Sequence, residues 1–86
     1  MYHIIVYDVE EKRVSIALKI LRKYLFWVQN SVFEGELSDG QLAMLENELK
    51  GAIDLNKDSV IIYSVEEKWL RKKVLGVEKN STNQII

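Results

Sequence analysis

Residues 2–9, Tyr-His-Ile-Ile-Val-Tyr-Asp-Val, constrain this chain more than any other stretch. Seven of the eight are β-branched, aromatic or imidazole side chains, which suit a pleated strand better than a helix. Alternation along a strand puts His3, Ile5 and Tyr7 on one side and Tyr2, Ile4, Val6 and Asp8 on the other. Both sides are apolar, so the strand is expected to lie inside a sheet with both faces covered. Asp8 is the exception. An ionised carboxylate is costly to bury alone, so it must be paired, hydrogen-bonded, bound to a metal or placed at an opening.

The rest of the chain supplies partners for this strand. From residue 11 to about 25, Val14, Leu18, Leu21 and Leu25 recur at helical spacing, with Ala17, Ile20 and Tyr24 widening the stripe. Acids precede this helix and bases crowd its last turns, as the helix dipole favours. Residues 27–37 are rich in strand formers and read as one long strand or two short ones broken at Asn30-Ser31, a pair suited to a turn. Gly35 within them marks a bulge or a close backbone approach. Ser38 and Gln41 have the spacing of a capping box, which opens a second helix carrying Leu42, Leu45, Leu49 and Ile53. Residues 59–65 are a second inner-strand candidate. Residues 66–73 suggest a single helical turn, residues 74–77 a short strand, and Gln84-Ile85-Ile86 an apolar tail suited to joining a sheet edge.

Strand, helix, hairpin, helix, strand is most economically a ferredoxin-like α+β sandwich. This is a βαββαβ core with both helices on one face of an antiparallel sheet. The division expected is a ferredoxin-like domain over residues 1–78, followed by a C-terminal loop and exchange strand over 79–86. Two helices cover one sheet face, so the apolar residues on the other predict a sheet-to-sheet homodimer. Asp8 would then lie near its own copy across the two-fold axis. At 86 residues there is room for one modest core, which makes burial in a dimer attractive.

Composition removes several classes of function. There are no cysteines, so disulfides and thiolate metal sites are excluded. No apolar run approaches the roughly 20 residues needed to span a bilayer. No basic segment precedes the first apolar run, so the expected location is the cytoplasm, with no membrane partner. The net charge of −1 argues against a nonspecific nucleic-acid glue. The charge is unevenly spread, however: residues 27–56 sum to −5, while the segments on either side sum to +2 each. Basic residues gather at Lys12, Arg13, Lys19, Arg22 and Lys23, and again at Lys68, Arg71, Lys72 and Lys73. Either cluster reads equally as a phosphate-binding surface or as a solvated face.

No glycine-rich phosphate loop, paired-histidine metal motif or nucleophile triad is present. His3, the single histidine, reads as a packed core residue. Tyr7 and Phe33 are the only candidates for aromatic stacking on RNA. Asp8 has two readings. A strand-end carboxylate is a common metal ligand, and magnesium usually takes one or two carboxylates while keeping several waters. A symmetric dimer would bring two copies. Alternatively Asp8 caps the following helix through the amides of Glu10 and Glu11, and on composition alone this is the plainer reading.

Three motifs together resemble the CRISPR-associated protein 2 family, the small non-integrase subunit of spacer acquisition. They are Tyr7-Asp8 at the end of the first strand, Val28-Gln29-Asn30-Ser31-Val32-Phe33-Glu34, and Asp58-Ser59-Val60-Ile61-Ile62-Tyr63. Their order and spacing agree from Tyr2 to about Val65. The resemblance implies a ferredoxin-like homodimer whose C-terminal strand crosses to the partner's sheet. It implies a metal-dependent endonuclease acting on single-stranded RNA or double-stranded DNA, with Asp8 and its copy holding magnesium, or alternatively manganese. Tyr7, Ser31 and Phe33 match positions lining the same cleft, and Arg13 a basic position that contacts phosphate. Lys12, Lys19, Arg22 and Lys23 would hold nucleic acid beside it, and the dimer would bridge dimers of the CRISPR integrase subunit. The chain departs from the family at Trp27, where many members carry an arginine, and at Glu11, where some carry a second, and each loss removes a phosphate-neutralising charge. Two other readings share the fold: a non-catalytic scaffold of the integrase complex, and a toxin-like messenger-RNA ribonuclease.

Overall fold

A computed structural model describes residues 1–80. Its elements run β1 (Tyr2–Asp8), α1 (Glu11–Tyr24), β2 (Phe26–Gln29), β3 (Val32–Glu36), α2 (Asp39–Ala52) and β4 (Ser59–Val65), then a 3-10 turn at Glu67–Trp69. The strands form one antiparallel sheet in the order β2-β3-β1-β4. This is the expected ferredoxin-like βαββαβ sandwich, with β1 at an interior position.

Side-chain alternation in β1 sets the layers. His3, Ile5 and Tyr7 are buried, as are Phe33 on β3, Ala17, Ile20 and Leu21 on α1, and Leu45 and Leu49 on α2. Ile5 and Phe33 face each other across the ladder and are completely buried, so the core lies between sheet and helices. On the opposite parity Ile4 and Val6 are only half-buried, and their β4 partners Tyr63 and Ile61 are 56% and 47% exposed. Among the described residues, therefore, nothing covers this sheet face.

The local signals act as their chemistry predicts. Ser38 Oγ accepts from the Gln41 N–H (3.1 Å) while the Gln41 side chain accepts from the Ser38 N–H (2.9 Å), the reciprocal capping box that starts α2. Residues 27–37 are two strands, reversed at Asn30, whose φ of 44° is a left-handed conformation that asparagine tolerates. Of the two roles open to Gly35, the structure shows close approach: a Cβ there would stand 3.0 Å from Leu25 Cδ2. The bulge is elsewhere, between Trp27 and Gln29.

Three expectations are corrected. β4 pairs with β1 alone and is an edge strand of this sheet, because among the described residues no further strand follows to cover it. Residues 74–77 form no strand; the chain bends at Gly76 (φ 89°) without ladder bonds. Asp8 does not cap α1. Glu10 is the N-cap residue, and its amide bonds Asp58 instead. The exchange strand expected over 79–86 falls mostly on residues outside those described.

Candidate functional site

The β1–β3 ladder ends at the Val6–Val32 pair, whereas the β1–β4 ladder continues through Tyr7–Val60 to Asp8–Ser59. Asp8 is thus carried past one neighbour and supported by the other. Its side chain is exposed and shares a face with Ile4 and Val6 rather than with the core. Among the described residues its carboxylate has no hydrogen-bond or ion-pair partner. A bare acid at the open end of an interior strand is free to take a cation.

Tyr7 and Phe33 lie on the other side of the sheet. Tyr7 is 9% exposed and packs its ring on Phe33 with centroids 6.0 Å apart. Its hydroxyl donates to the Asn30 carbonyl (3.4 Å) and its backbone N–H to the Ser31 carbonyl (3.0 Å). These residues brace the β2–β3 turn from within. The structure therefore divides the cleft that the resemblance implied: strand alternation sends Asp8 outward and Tyr7 and Phe33 into the core, with half-buried Ser31 at the turn between them. Trp27, standing where an arginine was expected, has a local task, since its indole N–H donates to the Asn30 carbonyl (2.9 Å).

The basic residues separate in the same way. Arg13 is held by Asp58 through Nε–Oδ2 (2.7 Å) and Nη2–Oδ1 (2.9 Å), and Nη2 also approaches Glu10 (3.3 Å). The Asp58 side chain is fully buried and further accepts the N–H groups of Asp54 (2.8 Å) and Glu10 (3.0 Å). The Arg13 bonds, with help from these two amides and against the effect of burial, hold the Asp58 carboxyl far below the ordinary carboxylate range. Arg13 thus has two acidic partners within its own chain, Asp58 and Glu10. Lys23 pairs with Glu48, which also accepts from the Tyr24 hydroxyl, tying α1 to α2. Lys12, Lys19 and Arg22 remain exposed along α1, with no ion-pair partner among the described residues. In the second cluster Lys72 binds Glu34 (2.6 Å) and Glu78, Lys68 binds Glu66 and lies over the Trp69 ring, and Arg71 caps nearby carbonyls.

A cavity of about 320 Å³ lies between α2 and β4 against Leu49, Ile53, Leu55 and Val60, and Asp8 is not among its lining residues. The sequence reading assigned Asp58 no role, although it lies within one of the quoted motifs. Its signal was an acid placed directly before a strand that must pair with β1.

Fold and site define a class: a small ferredoxin-like protein whose interior strand ends in an exposed acid and whose first helix carries a basic stripe, with no ion-pair partner for Asp8, Lys12, Lys19 or Arg22 among the described residues. The family model for CRISPR associated protein Cas2 matches residues 1–73, and the chain belongs to that family. It is 50% identical over 86 residues to the CRISPR-associated endoribonuclease Cas2 3 of Thermodesulfovibrio yellowstonii, covering 99% of this chain and 98% of that one. It is 55% identical over 80 residues to the CRISPR-associated endoribonuclease Cas2 of Thermotoga maritima, with 92% of each chain covered. A crystal structure of Cas2 superposes with a TM-score of 0.82 at 51% identity, covering 92% of this chain and 90% of that one. Streptococcus pyogenes Cas2 at pH 6.5 superposes with a TM-score of 0.77 at 30% identity, covering 88% of this chain and all of the other. No helix among the described residues is long and apolar enough to cross a membrane.

Proposed function

We propose that this protein acts in CRISPR spacer acquisition as a homodimer that binds nucleic acid, bridges integrase dimers and hydrolyses phosphodiester bonds at a site built from two copies of Asp8. The observation that carries this reading is the carboxylate of Asp8, which among the described residues has no partner and lies on a sheet face that none of them covers. Face-to-face pairing would bury Ile4, Val6, Ile61 and Tyr63, an apolar surface of the kind that marks an interface. Among the described residues no three metal-ligating side chains converge, and Asp8 is one carboxylate per chain. Two chains would offer two, which suits magnesium or manganese. When bound, such an ion supplies a more acidic water and neutralises phosphate charge. Lys12, Lys19 and Arg22 would hold the strand beside it, and the names of the relatives favour RNA as the substrate cleaved.

A second reading keeps the scaffold and drops the cleavage. It is favoured by the cations this site lacks: Trp27 and Glu11 stand where arginines were expected, and Arg13 is bound to Asp58. Asp8→Asn separates the two. With highly purified dimer, single-stranded RNA and duplex DNA, and magnesium or manganese present, the substitution is expected to reduce cleavage to the metal-free background. Unchanged cleavage would refute the nuclease reading, and intact spacer integration by that variant would support the scaffold.

A further inference from the structure

We infer that Asp58 is a positioning residue for Asp8, and that Arg13 serves the site by gripping Asp58 rather than by contacting phosphate. The inference rests on the reading of Asp8 given above and names what holds it in place.

Beyond the Val6–Val32 pair, β1 has β4 alone as a ladder neighbour, apart from the single bond of the Tyr7 amide to Ser31. Only Val9 and Glu10 separate Asp8 from the first turn of α1, and Glu10 makes no side-chain cap to stiffen that join. Asp58 provides what is missing. Its Oδ1 accepts the Glu10 N–H and Arg13 Nη2, and its Oδ2 accepts Arg13 Nε and the Asp54 N–H. One buried carboxylate thereby ties the start of α1 to the α2–β4 connection. Asp58 also immediately precedes Ser59, the residue paired with Asp8 across the ladder. The backbone on both sides of the Asp8 carboxylate is referred to this one residue.

The chemistry is specific to aspartate. All four partners are N–H donors, which an ionised carboxylate can satisfy at once. Asparagine has nearly the same shape, but its NH2 group would be set against those donors. Lysine at position 13 keeps the charge but lacks the planar fork that spans both oxygens.

Asp58→Asn and Arg13→Lys test this at a temperature where circular dichroism shows each variant fully folded. The first measurement is amide hydrogen exchange across Val9–Lys12. In Asp58→Asn, exchange there is expected to rise about tenfold or more, while Ile5 and Phe33 in the core keep wild-type protection. The second is Asp8-dependent cleavage of single-stranded RNA with magnesium. Here kcat is expected to fall by about ten- to a hundredfold with KM little changed, because reacting groups are misplaced while binding is retained. Arg13→Lys should fall between wild type and Asp58→Asn in both measurements, and it carries the test if Asp58→Asn does not fold. Wild-type kcat in a folded variant, unchanged exchange at Glu10, or a uniform rise across the core would each overturn the assignment; the last would make Asp58 a stability residue only. If wild-type cleavage proves independent of Asp8, the nuclease reading fails, and the exchange measurement alone decides whether Asp58 holds the turn.

Discussion

Replacing Lys12, Lys19 and Arg22 together by alanine tests whether the free bases of α1, rather than all its bases, meet nucleic acid. Each phosphate contact releases condensed counterions, so log affinity falls with log salt by about 0.7 per contact on single strands and about 0.9 on B-form duplex. Three lost contacts should flatten the slope by about 2.1 on single-stranded RNA and about 2.7 on duplex DNA. Between 50 and 200 mM salt, wild type should then lose roughly twentyfold more RNA affinity, or roughly fortyfold more duplex affinity, than the variant. The control is the double variant Lys23→Gln/Glu48→Gln, which removes an ion pair without changing net charge. Its slope should match wild type to within about 0.3, since a lysine already paired releases few counterions. Fluorescence anisotropy at four salt concentrations measures all of these. An unchanged slope in the triple variant, or an equal flattening in the control, would refute the division of these cations into free and occupied.

Two further outcomes follow from the core and from the ion pairs. His3 is 2% exposed, its Nδ1 lies 2.8 Å from Ser64 Oγ, and its Nε2 is buried with no partner among the described residues. His3→Leu removes that orphan, worth about 1–3 kcal/mol, at the cost of one bond worth about 1 kcal/mol to a serine that water can reach. Urea unfolding should therefore show stability unchanged or raised by up to about 2 kcal/mol, and a loss of more than about 1 kcal/mol would show that Nε2 has a partner. In acid, Glu48 is held below its ordinary value of 4.5 by Lys23 and Tyr24, and Asp58 below 3.8 chiefly by Arg13. Each binds protons more weakly folded than unfolded, so its stabilisation is complete above about pH 5 and drains as pH falls from the unfolded carboxylate range down through the lower folded value. Glu48→Gln should lose less stability than wild type between pH 5 and 3, and identical losses would refute the Glu48 linkage.

Much of the fold was legible because its signals are local or periodic. Ser38 and Gln41 announce the start of α2 three residues apart, and the Leu45–Leu49 spacing declares its buried face. Both parities of β1 are apolar, which correctly placed it inside the sheet. The same logic misplaced β4. Val60 and Ile62 pack on the core while Ile61 and Tyr63 are exposed, so its two apolar faces do not make it interior within a single chain. A sequence records that a side chain is apolar, and which surface covers it is a property of the assembly. Val74 to Val77 failed for a related reason: β-branched composition favours a strand, but a strand needs a ladder partner, and among the described residues none is present.

The site was legible by residue type and illegible by pairing. Asp8 stood out because a carboxylate in an apolar strand demands an explanation, and the structure leaves it exposed, with no partner among the described residues. The basic residues did not sort themselves, since charge along a sequence counts cations without showing which are already neutralised. Arg13 lies 45 residues from Asp58 and Lys23 lies 25 from Glu48, separations at which no helical or strand period applies. The acids that occupy them sit at the start of β4 and on α2, two elements whose apolar patterns were read correctly. A protein of this size can bury few charges unpaired, so an arginine beside the start of α1 and an aspartate at the mouth of β4 find each other once β1 and β4 pair. The ladder that exposes Asp8 is thus the one that occupies Arg13. A basic residue near this acid is for that reason better judged by what β4 places opposite it than by its position on α1.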